Sequence, residues 1–364
     1  MREGHYKYQI TKDKLISICE QLPEGKPLPN RNELAKQCGV ARVTLERAIS
    51  ELIGEGVLVS IDGSGTYPAK NSPVSPNGQT EGKVWALLGY SVTVGILPYW
   101  IRGIEDFAYA HNISLIVCNT DNDSQKETNY LNRLVKQNVS GIILIPNIHT
   151  KTDQSAIDAI RAKKIPIVAC SRQVPGENFP GAFQNFFHSG FMATQHLIDQ
   201  GCRNIAYFSY DSYYSAEDRL QGFLAAIEQF NSMHDCEKAE RGLLNGNSEE
   251  EFENAINAYL DDNPDTDGIF LGSDLIALPL YKILKKRNLV AGRDIKLIAS
   301  EDSGCCRCFS VPLSVVQTPF YEMAQLTAQQ LLMLQNGTDE ELLKREIVSG
   351  RLVARESSTG IPEA

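Results

Sequence analysis

No stretch of this 364-residue chain approaches the ~18 consecutive apolar residues of a membrane span, so a membrane partner is excluded from the expectations. The opening MREGHYKYQITKDK is polar and has no apolar core of signal-peptide length, which predicts a cytoplasmic protein. Positive charge is also short: 35 Lys and Arg face 45 Asp and Glu, a net charge of −10, and a protein basic over its whole surface is ruled out. Nine cysteines, an odd number without framework spacing, fit a reducing compartment rather than a disulfide scaffold. The phosphate and nucleophile motifs G-x-G-x-x-G, G-x-x-x-x-G-K-[ST] and G-x-S-x-G are missing, so dinucleotide, nucleotide and hydrolase chemistries lack their residues. No enzyme activity, catalytic residue or cofactor is expected.

What is present divides along the chain. A length of 364 residues suggests two or three domains, and 42% hydrophobic with 22% charged residues is a globular composition. Residues 1–70 hold ten Lys and Arg against nine Asp and Glu, while the rest holds 25 against 36; any nucleic-acid contact is therefore expected from the front. A helix over Gln9 to Leu22 runs into PEGKPLPN, which breaks it. In NELAKQCGVARVTLERAISELIGEG, the residues Leu34, Ala35 and Cys38 recur at helical spacing before a turn at Gly39, as do Leu45, Ala48, Ile49 and Leu52 after it. Two helices sharing one core leave Arg42, Val43, Thr44, Glu46, Arg47 and Ser50 facing outward, the layout of a helix-turn-helix. VLVSIDGSGTYPA then reads as a hairpin around Asp62 to Gly65, completing a winged helix over 1–69. Residues 70–82, with little to bury, read as a linker.

From residue 83 to 364 the runs VWALL, ISLIV, GIILIP, IPIVAC, NIAYFS, GIFLG and IKLIAS alternate with segments of helical period such as YWIRGIEDFAYA. Repeated strand–helix units predict an α/β fold with a parallel sheet covered on both faces. Their number exceeds one sheet, so two lobes with a ligand cleft between them are expected.

Two resemblances carry further implications. LPNRNELAKQCGVARVTLERAISELIGEGVLVSIDGSGT, residues 28–66, resembles the GntR-type winged helix through LP, ELA, GV-R-T, A--EL--EG and the G-GT wing. Residues 83–360 resemble the LacI-type, periplasmic-binding-protein-like effector domain through GIEDFA, GIILIP, IPIVACSR, ATQHLIDQGCRNIAYF, SAEDRLQGF, GIFLGSDLIA and PLSVVQTP. The fusion is similar to that of the arabinose repressors of Gram-positive bacteria. It implies a ligand-responsive transcription regulator, a repressor, with operator DNA, a sugar and a second copy of the chain as partners. A nucleobase or other polar effector, or a sugar-binding protein without coupling to DNA, are the alternatives.

The GntR resemblance places Arg42, Thr44 and Arg47 at the operator, with the wing glycines Gly63 and Gly65 beside the minor groove or backbone. Arg can fork to guanine O6 and N7, and Thr can reach a phosphate or a thymine methyl. Asn32 and Glu46 stand where family members often have Arg, and Ala41 where Ser or Thr would cap the recognition helix. A Glu on the reading face accepts from cytosine N4 and repels phosphate, which implies altered specificity.

The LacI resemblance places effector contacts at Ser171, Gln184, Arg219, Ser273, Glu301 and Gln317. The planar guanidinium of Arg219 can chelate vicinal hydroxyls; its alternative is an ion pair with Glu217 or Asp218 next door. Glu301, in IASED, extends one methylene beyond the family's Asp. Asp274 is expected to cap or brace the following helix. Arg172 faces either the cleft or the surface, and Tyr90, Tyr99 and Trp100 can stack on a sugar face, with core packing the expected fate of at least one. CCRC, 305–308, lacks the spaced pairs of a structural zinc site and has no histidine nearby, so no metal is expected there. A redox role for these thiols is left open by the sequence.

Overall fold

A computed structural model describes residues 2–23, 26–54, 57–61, 65–68, 83–92, 95–147, 151–210, 214–234, 239–246 and 249–360. The chain divides into two compact units, Met1–Gly82 and Lys83–Ala364.

The first unit contains α1 (Arg2–Gln21), α2 (Arg31–Cys38), α3 (Arg42–Gly54) and a hairpin of β1 (Leu58–Ile61) with β2 (Gly65–Pro68). The first helix begins at Arg2, earlier than the expected Gln9, because its leading polar turns show no apolar period. Asn30 starts α2 by accepting from the Glu33 N–H, and Gly39 ends it in the left-handed conformation at φ 70°, which a side chain would resist. Leu15, Leu34, Cys38, Leu45, Ala48, Ile49, Leu52 and Leu58 form the core, the helical spacing read from the sequence. The hairpin tip with Gly63, and the linker expected over 70–82, lie outside the described residues.

The second unit opens with a first lobe of β3 (Val84–Gly89), α4 (Leu97–Ala110), β4 (Ser114–Asn119), α5 (Ser124–Lys136), β5 (Gly141–Leu144), α6 (Gln154–Ala162), β6 (Ile167–Ala169) and β7 (Gly181–Gln184). Its main sheet is parallel, in the order β4-β3-β5-β6. Alternate residues of β3 go to opposite cores, Trp85 and Leu87 to one face and Ala86 and Leu88 to the other. Burial on both faces explains why the strand reads as a continuous apolar run.

The second lobe contains α7 (Phe186–Asp199), β8 (Asn204–Tyr210), α8 (Tyr214–Met233), β9 (Glu240–Gly246), α9 (Glu249–Asp262), β10 (Gly268–Leu271), α10 (Ala277–Lys286), β11 (Lys296–Ala299) and β12 (Ser314–Gln317). The chain then returns to the first lobe as α11 (Phe320–Gln335) and β13 (Arg345–Val348), which pairs with β7, before ending in the second as β14 (Arg351–Val353) and α12 (Glu356–Thr359). The second sheet has the order β14-β12-β11-β10-β8-β9, parallel except for β14. Three crossings between lobes follow, at 184–186, 317–320 and 348–351. They are hydrogen-bonded to one another: Asn185 N–H donates to Val348 O at 2.9 Å, and Arg351 donates to Gln317 Oε1 at 3.3 Å.

The α4 face of Leu97, Trp100, Ile104 and Ala108 recurs at helical spacing and meets Phe320, Met323, Ala324 and Ala328 of α11. Trp100 is therefore a core residue, fully buried and tilted against Phe320, and among the three candidate stacking aromatics it is the one that takes the core-packing fate.

Candidate functional site

The outward face of α3 starts without a side-chain cap, since Ala41 offers only its carbonyl to the Thr44 and Leu45 N–H groups. Arg42, Val43 and Arg47 are exposed, Val43 to 82%, while Thr44 is half-buried. Glu46 is held between two cations, with Oε2 3.4 Å from Arg31 Nε and Oε1 3.7 Å from Arg42 Nε. Arg31 also donates to Thr66 Oγ1 of β2 at 2.8 Å. It thus ties the wing to the recognition helix. Asn32 is exposed one residue further along α2. Gly65 has a φ of 126°, and a Cβ there would stand 3.2 Å from Pro27 Cβ. Backbone and space both require glycine at the base of the wing.

In the second unit a cavity of about 520 Å³ is lined by Ser171, Arg172 and Gln184, with Asn147, Phe183 and Phe186 beside them and Glu217 and Asp218 from the second lobe. Ser171 has a left-handed backbone at φ 68°, and its Oγ accepts from Gln184 Nε2 at 2.9 Å. The Arg172 guanidinium lies over the Tyr90 ring at 5.2 Å. On the other side, the Arg219 guanidinium lies 4.7 Å over the Phe186 ring and reaches Glu301 Oε1 at 2.5 Å. Both side chains are secluded, 4% and 14% exposed. Burial pushes the Glu301 carboxyl up; Arg219 opposes this, Asp274 adds to it, and Arg172 of the first lobe opposes it in turn. Arg219 is accordingly partnered by Glu301, from a separate segment of the chain.

A second cavity of about 370 Å³ lies at the crossings, lined by Tyr99, Asp302, Gln317, Phe320, Ser349 and Arg351 among others. Ser273, expected to contact effector, is used locally: its Oγ accepts from Leu275 N–H and starts the single turn Asp274–Ile276. Asp274 braces the loop across from it by accepting from Ser303 N–H at 2.6 Å. In that loop Cys305 and Cys308 are exposed, while Cys306 is buried with its thiol pushed up by burial and by Asp274. A buried thiol held protonated is a poor redox sensor.

The comparisons with known proteins agree with this architecture. Residues 97–331 match the family described as periplasmic binding proteins and sugar binding domain of LacI family, and residues 13–67 match the bacterial regulatory proteins of the gntR family. The chain belongs to the LacI-type family. Its DNA-binding unit is of the gntR type. It is a transcription regulator of the repressor kind, and not an enzyme. The arabinose metabolism transcriptional repressor of Geobacillus stearothermophilus is 25% identical over 98% of both chains. Among solved structures, the transcription regulator CcpA of Lactococcus lactis superposes with a TM-score of 0.66 at 20% identity, over 76% of this chain and 99% of that one. A LacI family regulator from Enterococcus faecium with bound ribose gives 0.65 at 23% identity, over 77% and 100%. These two show the shared fold.

Within this LacI-type domain, the fold brings Ser171, Arg172 and Gln184 to one cavity, and Arg219 with Glu301 to its border through Phe186. It places Gln317 at the neighbouring cavity and leaves Ser273 and Trp100 lining neither of the two. Sequence reading missed Asn147, whose amide is buried with neither atom hydrogen-bonded among the described residues although it borders the cavity. It follows GIILIP immediately, and the end of a parallel strand was the available signal. Arg31 was missed as well. Only the fold places it beside Glu46 and Thr66.

Proposed function

We propose that a homodimer of this repressor binds a two-fold-symmetric operator through α3 and the wing, and that a neutral polyhydroxylated effector of the sugar class in the cleft controls that binding. Residues 1–69 act as the DNA-binding domain, 70–82 as linker and 83–364 as effector domain. The observation that carries the effector class is the Arg219–Glu301 pair on the second lobe, which borders the cavity of Ser171, Gln184 and Arg172 through the Phe186 ring. A guanidinium bonded to a carboxylate presents donors and acceptors together, as vicinal hydroxyls require, with little net charge to attract an anion. Phe183 and Phe186 supply apolar faces for the ring. Ribose in the relative from Enterococcus faecium and the arabinose repressor name of the Geobacillus relative favour pentoses.

Arg42 and Arg47 are the operator contacts, with Thr44 and Gly65 at phosphates and Val43 available to a thymine methyl. Effector that touches both lobes binds the closed arrangement better than the open one and shifts the domain by that difference alone. The first test is a thermal-shift screen of the full chain against pentoses, hexoses, nucleosides and purines. A pentose or hexose that raises the melting temperature, with no response in an Arg219→Ala variant, supports the assignment. Stabilisation by purines only would overturn the sugar class.

A further inference from the structure

We propose that Cys305 Sγ, Cys306 Sγ and the Asp274 carboxylate form a binding site for a thiophilic divalent cation of the zinc type, apart from the effector cleft residues. The ligating atoms of these three residues all lie within 4.8 Å of one another, the one such His, Cys, Asp or Glu group among the described residues. Four-coordinate zinc with Zn–S near 2.3 Å and Zn–O near 2.0–2.2 Å sets its ligand atoms roughly 3.5 Å apart. Cys306 Sγ already stands 3.5 Å from Asp274 Oδ2. Cys305 is exposed, with its Sγ 3.6 Å from the Ser303 hydroxyl, and its thiol lies within the same 4.8 Å.

A second observation points to a missing ligand. Asp274 is 99% buried, and its Oδ1 has no hydrogen-bond partner among the described residues. Its Oδ2 is meanwhile fixed by the Ser303 N–H at 2.6 Å, the outer-shell bond that orients a ligating carboxylate. A buried carboxylate oxygen left without a donor costs free energy that a bound cation would offset. The loop is held in place beside the site, where Asp302 accepts from Gly304 N–H and is paired with Arg355. Binding converts both thiols to thiolates and releases two protons to solvent, while Asp274 enters as carboxylate. The occupied centre carries a charge of −1, and three protein ligands leave one position for water. The spacing within CCRC conceals this site, because its third ligand comes from the single turn that follows β10. Cys306 Sγ also lies 3.9 Å from the Glu301 carbonyl, so the ion would fix the turn that presents Glu301 to Arg219.

Cobalt titration of the reduced full-length protein under anaerobic conditions tests the site. The expected result is one Co²⁺ per chain with a sulfur-to-cobalt charge-transfer band, displaced by Zn²⁺. Cys305→Ser, at an exposed position that leaves the fold intact, and Cys306→Ser each weaken Co²⁺ binding at least about tenfold, the lower end of what an outer-shell change costs. Cys308→Ser leaves the titration unchanged. Absence of the band, a band of parental affinity in Cys305→Ser, or a band lost in Cys308→Ser would overturn the proposal.

Discussion

Arg219 of α8 and Glu301, which follows β11, meet at 2.5 Å in a secluded ion pair beside the Phe186 ring. Each was expected to contact effector by itself. Paired, they form one preorganised surface, and the two members respond differently to loss of the other. Arg219 cannot shed its charge, whereas Glu301 can take a proton, and burial already pushes its carboxyl up. Glu301→Gln removes the carboxylate from a secluded guanidinium and should therefore cost about 1–3 kcal/mol. Arg219→Met should cost less at pH 5 than at pH 8. A carboxyl with a raised folded-state pKa supports stability below its unfolded value and loses that support as the pH rises through the folded one. Urea midpoints of the two variants across this range check the asymmetry, and identical pH profiles would contradict it.

Glu46 was read as a carboxylate facing phosphate. In the fold it is clasped by Arg31 and Arg42. Glu46→Gln should release both arginines, raise non-specific DNA affinity and steepen its salt dependence by about 0.9 in log–log slope for each new phosphate contact. Fluorescence anisotropy on a random duplex at several salt concentrations measures this directly. An unchanged slope would remove Glu46 from the DNA face.

Arg42 is 65% exposed in its side chain at the start of α3. Arg42→Ala should cost about 1–3 kcal/mol of operator affinity and relax specificity at one base position per half-site. Binding to a library of operator variants checks both parts. A uniform loss across all sequences would make Arg42 a phosphate contact instead.

His196 of α7 is buried and shares a 2.7 Å hydrogen bond between its Nε2 and Ser358 Oγ of α12, which in turn meets Ser314 Oγ at 2.6 Å. Burial lowers its pKa; Asp199 opposes and Lys296 assists. The unfolded chain then binds a proton more readily than the folded one. Stability contributed here is present above the ordinary value near 6.5 and lost as pH falls through the folded value. Melting temperatures from pH 8 to 5 should fall less steeply for His196→Gln than for the parent. Parallel curves would show that His196 stays neutral throughout.

The sequence was most legible where local pattern and burial coincide. All seven apolar runs became parallel strands; six are buried along most of their length, which leaves no polar alternation to confuse the reading, while β4 reads as apolar although Ile116 and Val117 are exposed. Strands β7 and β13, only four residues each, were not visible, since each is completed by a partner far along the chain. The same limit applies to function. Ser171 and Gln184, singled out by the LacI resemblance, and Arg172, left between cleft and surface, line one cavity, whereas the Arg219–Glu301 pair, the Arg31–Glu46 contact and the Asp274–Cys306 contact join separate segments. Which of Tyr90, Tyr99 and Trp100 would pack in the core was not legible, because helical spacing does not say which face meets a later helix, here α11. Ser273 was misplaced because a serine before a helical turn serves equally as a cap.

The central claim is that effector in the cleft and operator on the winged helix are coupled. Linkage requires each to change the other's affinity by the same factor, and coupling of ~1–3 kcal/mol is typical of such regulators. The deciding measurement is a pair of titrations on the full chain: operator affinity with and without saturating pentose, and pentose affinity with and without operator. The account predicts equal factors of roughly 5–150 in the two titrations, both abolished by Arg219→Ala while effector-free operator binding stays near that of the parent. Pentose binding that leaves operator affinity unchanged would contradict it.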